Sequence, residues 1–176
     1  NVEADSLNAA VLGPDLSTDD ETYDLFLREV AKDMTQKAGQ KCTAIRRILI
    51  PKDMMDSVKE DLSREIATAR VGNPAEKGVK VGPLATARQV KDAHTGLERL
   101  KEVATPVYGD GGRAELVGVE GDKGYFFSPV LLEAKDAKAP AIHDREIFGP
   151  VATLIPYSGS AEEAAELLGL GRGSLV

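Results

Sequence analysis

The chain has 176 residues, 42% of them hydrophobic, a net charge of −7 and a single cysteine. That length supports one substantial core, and an acidic balance without any lysine or arginine block excludes a surface built for nucleic acid. Apolar runs such as AIRRILIP and VATLIPY are far too short to span a bilayer, and a lone cysteine closes no internal disulfide, which fits a reducing cytoplasm.

Residues 7–13, LNAAVLG, are a short apolar run closed by Gly13-Pro14 and predict a strand and turn. In STDD, Ser17, Thr18 or Asp19 can cap a helix over 21–37. Its Tyr23, Phe26, Leu27, Val30 and Met34 share one face, and Gly39 suits its stop. AIRRILIP predicts a buried strand ending at Pro51. Residues 52–69 predict a second amphipathic helix with Met55, Val58, Leu62 and Ile66 inward. GNP is a turn. A helix over 86–103 turns Val90, Ala93, Leu97 and Leu100 inward, with PVYG as a short strand behind it. Residues 109–124 are turn-rich, and short strands are expected there. YFFSPVLLE and VATLIPY predict further strands, and SAEEAAELLGLG a last helix capped by Ser158 or Ser160.

Helices alternating with short apolar strands predict an α/β fold, a largely parallel sheet flanked by helices. No linker divides the chain, so residues 1–176 read as one domain. It opens on Asn1 rather than methionine and stops at GSLV, which has the look of a strand just entered. An excised piece of a longer protein is expected.

Cys42 lies in KAGQKCTAIRR, between the first helix and the AIRRILIP strand. A thiolate is a strong nucleophile, and a turn between rigid elements can aim one. Lys41, Arg46 and Arg47 are close enough in sequence to favour the thiolate, whereas the negative end of the preceding helix opposes it. The other reading is a buried cysteine acting as a small hydrophobe. Local chemistry leaves both open.

GQKCTA, residues 39–44, resembles the active-site cysteine signature of the aldehyde dehydrogenase superfamily, Gly-Gln-x-Cys. EIFGPVATLIPY, residues 146–157, resembles that superfamily's Glu-x-Phe-Gly-Pro-Val segment, and GNP at 72–74 and VGPL at 81–84 fall in the same order and spacing. The resemblance covers essentially the whole chain. It implies that residues 1–176 are a fragment of the cysteine-bearing catalytic domain, with the nucleotide-binding domain absent. The wider wording, VEADSLNAAVLGPD through KAGQKCTAIRR, is similar to members that oxidise CoA-linked semialdehydes in bacterial degradation of aromatic compounds such as phenylacetate and benzoate.

The resemblance implies NAD or NADP as cofactor, with NADP favoured, an aldehyde substrate carried on a CoA thioester, and a homo-oligomer at full length. It places Cys42 on the nucleophile, whose thiohemiacetal loses hydride to become a thioester, and Glu3 on the base that activates water to hydrolyse it. Glu146 falls on the residue that accepts hydrogen bonds from the nicotinamide-ribose hydroxyls, two acceptor oxygens suiting a vicinal diol. Phe148 falls on the ring packed near the nicotinamide. The plainer alternatives are a solvated carboxylate at Glu3, a turn carboxylate at Glu146 and a core aromatic at Phe148. The family's Leu-Gly-Gly after the base is ADS here, and Thr35 and Lys37 stand where an aromatic residue and an asparagine are common. A non-catalytic assembly module of the same fold, with its cysteine buried, is the competing function.

Three further signals carry little. GLGRGS, residues 169–174, follows a helix rather than a strand and so reads as a helix stop and turn instead of a nucleotide loop. His94 and His143 have no second ligand at metal spacing, so no metal site is expected. No Gly-x-Ser-x-Gly nucleophile elbow occurs.

Overall fold

The computed structural model describes residues 6–113 and 115–171. Strands β1 (Asn8–Val11), β2 (Ile45–Pro51), β5 (Ala104–Tyr108), β6 (Val130–Ala134) and β7 (Val151–Tyr157) form one sheet in the order β1-β2-β7-β6-β5. All neighbours run parallel except β5, which pairs antiparallel with β6 at one edge. The predicted α/β architecture is therefore the observed one.

Helices cover both faces. Along β2, Ile48 and Ile50 enter one cluster while Leu49 enters the other, because alternate side chains of a strand point to opposite faces. The Ile48 face packs on α1 (Glu21–Thr35) and α2 (Met55–Ala67), through Tyr23, Leu27, Val30, Met34, Val58, Leu62 and Ile66. The Leu49 face packs on α3 (Ala87–Val103) and α5 (Ala161–Gly169), through Ala93, Leu97, Leu100, Ala164 and Leu167. A strand buried on both faces reads as a nearly continuous apolar run, as in VATLIPY, and each fully buried leucine or isoleucine contributes about 1.5–3 kcal/mol.

Several boundaries differ from expectation for local reasons. α1 is capped by Asp20, whose carboxylate accepts from Ser17 N (2.6 Å) and Ser17 Oγ (3.0 Å) rather than from the helix. It ends at Thr35, because Gln36 (φ −59°, ψ 134°) leaves the helical region, and Lys37 and Ala38 (both φ 54°) and Gly39 (φ 69°) after it are left-handed. Three such residues in succession turn the chain out of the helix toward Cys42. Strand β6 starts only at Val130: Pro129 has no N–H to donate, and Tyr125 gives its carbonyl to Leu84 N (2.8 Å). Within 109–124 the expected strands reduce to an isolated bridge between Val117 and Gly72. Two short strands, β3 (Arg70–Val71) and β4 (Val79–Val81), pair in a small parallel sheet beside it, and α4 (Pro140–His143) is a single turn; none of the three was predicted. Of the two caps offered for the last helix it is Ser160 that forms, accepting from Glu163 N, and Thr86, expected inside α3, caps it instead by accepting from Gln89 N. The strand expected at GSLV lies outside the described residues, as does much of GLGRGS. Among the described residues no helix is long and apolar enough to cross a membrane.

Candidate active site

The turn bearing Cys42 is built where α1 hands over to β2, and it rests against the turn that precedes β7. A Cβ at Gly39 would lie 2.4 Å from the carbonyl carbon and oxygen of Gly149 and 2.6 Å from Pro150 N. Only glycine allows that approach, and its φ of 69° independently favours glycine. Gln40 spans the seam: its Nε2 donates to Phe148 O (3.3 Å), and its Oε1 accepts from Ala85 N (2.9 Å) just before α3. The GQKC and EIFGP segments, more than a hundred residues apart, are thus in direct contact.

Cys42 is exposed. Its backbone is pinned from beneath by the buried Asn8 of β1, whose Nδ2 donates to Cys42 O (2.7 Å) and Ala44 O (3.2 Å). On the other side Asp33 of α1 accepts from Ile45 N (2.6 Å) and from Lys41 Nζ. The turn is held from two elements while the thiol stays accessible. No described residue accepts a hydrogen bond from the Cys42 N–H.

Two adjacent arginines leave opposite faces of β2. Arg46, with 4% of its side chain exposed, donates through Nε (3.1 Å) and Nη2 (2.8 Å) to Glu146 Oε1, whose own side chain is 8% exposed. It also donates to Gly149 O (2.7 Å) and Gly39 O (2.6 Å), fastening the two turns together. Burial lowers the Arg46 pKa and the Glu146 charge partly restores it; the guanidinium remains a cation. Ser6 N completes the clasp on Glu146 Oε2 (3.1 Å). Arg47 donates to the carbonyls of Leu7, Leu167 and Leu168 and to Nδ1 of His143, a cation seated at the negative C-terminal end of α5.

Lys41 is thus paired with Asp33, Arg46 with Glu146, and Arg47 with backbone carbonyls. A buried hydrophobic cysteine is not what forms, and Phe148, 41% exposed on its turn, is not a core aromatic. Glu146 sits beside the cysteine turn rather than in an unrelated loop. Glu3 lies outside the described residues; the residues after it, Ser6 and Asn8, touch Glu146 and Cys42. Asn8 and the clasping role of Arg46 went unnoticed in the sequence, although a polar residue in LNAAVLG and paired charges in AIRRILIP were the visible signs. A separate cleft of about 450 Å³ beside α1, lined by Arg28, Lys32, Thr35, Gln36, Thr68 and Lys80 among others, contains none of the predicted site residues.

The aldehyde dehydrogenase family model matches residues 12–168. The chain belongs to the aldehyde dehydrogenase family. It is 41% identical over 177 residues to 3,4-dehydroadipyl-CoA semialdehyde dehydrogenase of Aromatoleum evansii, an alignment that takes in 100% of this chain and 34% of that protein. Putative aldehyde dehydrogenases of Staphylococcus aureus are up to 36% identical over 149 residues, 82% of this chain and 30% of theirs. Among solved structures, Mycobacterium tuberculosis aldehyde dehydrogenase complexed with NAD+ superposes with a TM-score of 0.78 at 27% identity, covering 94% of this chain and 32% of that one. Succinic semialdehyde dehydrogenase from Streptococcus pyogenes, in complex with NADP+, gives 0.76 at 26% identity, covering 94% and 33%. The chain thus spans about a third of the length of the aldehyde dehydrogenases it matches.

Proposed function

We propose that these residues are the cysteine-bearing catalytic domain of an NAD(P)-dependent aldehyde dehydrogenase that acts with a nucleotide-binding domain outside them. Its substrate would be a semialdehyde carried on a CoA thioester, oxidised to the acid in cytoplasmic breakdown of aromatic compounds. The observation that carries this reading is the seam itself: an exposed thiol on a turn whose glycine touches the backbone of the Glu146–Phe148 turn. The similarity to a CoA-semialdehyde dehydrogenase supports the substrate class.

In this reading the Cys42 thiolate adds to the aldehyde carbon, and the resulting alkoxide takes a hydrogen bond from the Cys42 N–H. Collapse of that alkoxide expels hydride and leaves a thioester on Sγ. Glu3 then removes a proton from water, which adds to the thioester carbonyl; the acid departs and the thiol is regenerated. When bound, the dinucleotide supplies the hydride acceptor. The chain's own residues fit such a group: Phe148 offers an exposed ring, and Glu146 Oε2 accepts one hydrogen bond among the described residues, leaving acceptor capacity for a ribose hydroxyl.

The competing assembly module requires a buried cysteine, and Cys42 is exposed. Thiol labelling of the full-length protein separates the two readings. Fast modification of Cys42 that the aldehyde slows supports the enzyme, while labelling indifferent to aldehyde, with turnover surviving it, refutes the assignment.

A further inference from the structure

A carboxylate offers about four lone-pair sites. On Glu146, Oε1 already receives two N–H groups from Arg46, and Oε2 receives one from Ser6. The two-oxygen grip on a vicinal diol expected from sequence is therefore not what this site presents: one oxygen belongs to Arg46. Arg46 is itself buried and holds Gly39 O and Gly149 O with its remaining donors. A single planar fork thus fixes the carboxylate and both turns at once, geometry that a lysine point charge does not reproduce.

Resting on the reading of Glu146 as a ribose ligand, we propose that Arg46 is a positioning residue for dinucleotide binding. It aims Glu146 so that Oε2 alone meets the ribose, and it does so without touching dinucleotide or substrate. Arg46 then acts through Glu146, and its contribution to affinity disappears when Glu146 can no longer accept as a carboxylate.

The test is a double-variant cycle in the full-length protein, with NAD+ and NADP+ each titrated by calorimetry and turnover measured alongside. Glu146→Gln raises the dinucleotide Kd about tenfold, the worth of one charge-assisted hydrogen bond. Arg46→Met raises it by a similar factor, and Arg46→Lys by less. The double variant binds dinucleotide no more weakly than Glu146→Gln alone, and single-turnover chemistry at saturating dinucleotide, which reads the alignment of the two turns that Arg46 also holds, is scored separately from Kd. If Arg46→Met does not fold, Arg46→Lys alone and combined with Glu146→Gln supplies the same cycle. The proposal is overturned if the Arg46 variants leave Kd within twofold while Glu146→Gln raises it, or if the two effects multiply. A Glu146→Gln variant with unchanged Kd instead overturns the ribose reading, and the Arg46 proposal falls with it.

Discussion

Gly39→Ala tests the seam between the two motif turns. The new Cβ would lie 2.4 Å from Gly149 C and O and 2.6 Å from Pro150 N, whereas relaxed contacts between heavy atoms need about 3.5–4.0 Å. All three are backbone atoms, so no side chain can swing aside, and the turns must part by roughly 1 Å. Overpacking of this kind costs about 1–3 kcal/mol. Placing a Cβ at φ 69° adds about 1–2 kcal/mol. The total, roughly 2–5 kcal/mol, corresponds to a fall in melting temperature of roughly 4–20 °C for a chain of this size. Parting the turns also moves Cys42 relative to Phe148, and a displacement near 1 Å costs on the order of 10²-fold in rate. Thermal unfolding by circular dichroism and turnover by dinucleotide reduction are the assays. A variant melting within 2 °C of the parent, with turnover within twofold, would refute the packing argument.

Three other substitutions probe separate parts of the account. Lys37 adopts φ 54°, ψ 32°, a left-handed geometry that asparagine tolerates better than lysine; Lys37→Asn should stabilise the protein by about 0.5–1 kcal/mol in urea unfolding, and a loss of stability would count against the assigned turn. Burial pushes the His143 pKa below its ordinary 6.5, with Arg47 adding to the shift and the bond to Ala137 O opposing it. Its contribution to stability is therefore full above about pH 6.5 and is lost as pH falls from there through the lowered native value, with a slope of at most about 1.4 kcal/mol per pH unit. His143→Gln should flatten that part of the stability profile between pH 7 and 5, and an unchanged slope contradicts the burial argument. Glu3→Gln should preserve a first burst of reduced dinucleotide while steady turnover falls about 10²–10⁴-fold; unaffected turnover would point to transfer of the acyl group to a thiol rather than to water.

The sequence revealed more of the fold than of the site's wiring. Strong apolar periodicity fixed α1, α2, α3 and α5 and the strands around AIRRILIP and VATLIPY to within a few residues, because burial dominates those segments. What it hid was set by single backbone contacts. The end of α1 at Thr35 is set by the extended ψ of Gln36 and the two left-handed non-glycine residues that follow it, and β3 and β4 are too short for any period to register. At the candidate site, the motifs singled out Cys42, Glu146 and Phe148 as candidates, yet nothing in their spacing said that Arg46 would occupy one oxygen of Glu146 or that Asn8 would hold the Cys42 carbonyl. Charged and polar residues inside apolar strands announce that a partner exists without naming it. Only the fold supplies the partner.

The central claim is that Sγ of Cys42 becomes acylated. Mixing the full-length protein with an aldehyde substrate and oxidised dinucleotide, quenching in acid within one turnover and mapping the peptides by mass spectrometry tests it directly. The account predicts an acyl adduct on the peptide containing Cys42, absent without dinucleotide and accumulating further in Glu3→Gln. Continued turnover with that peptide unmodified, or with the adduct on another residue, would contradict it.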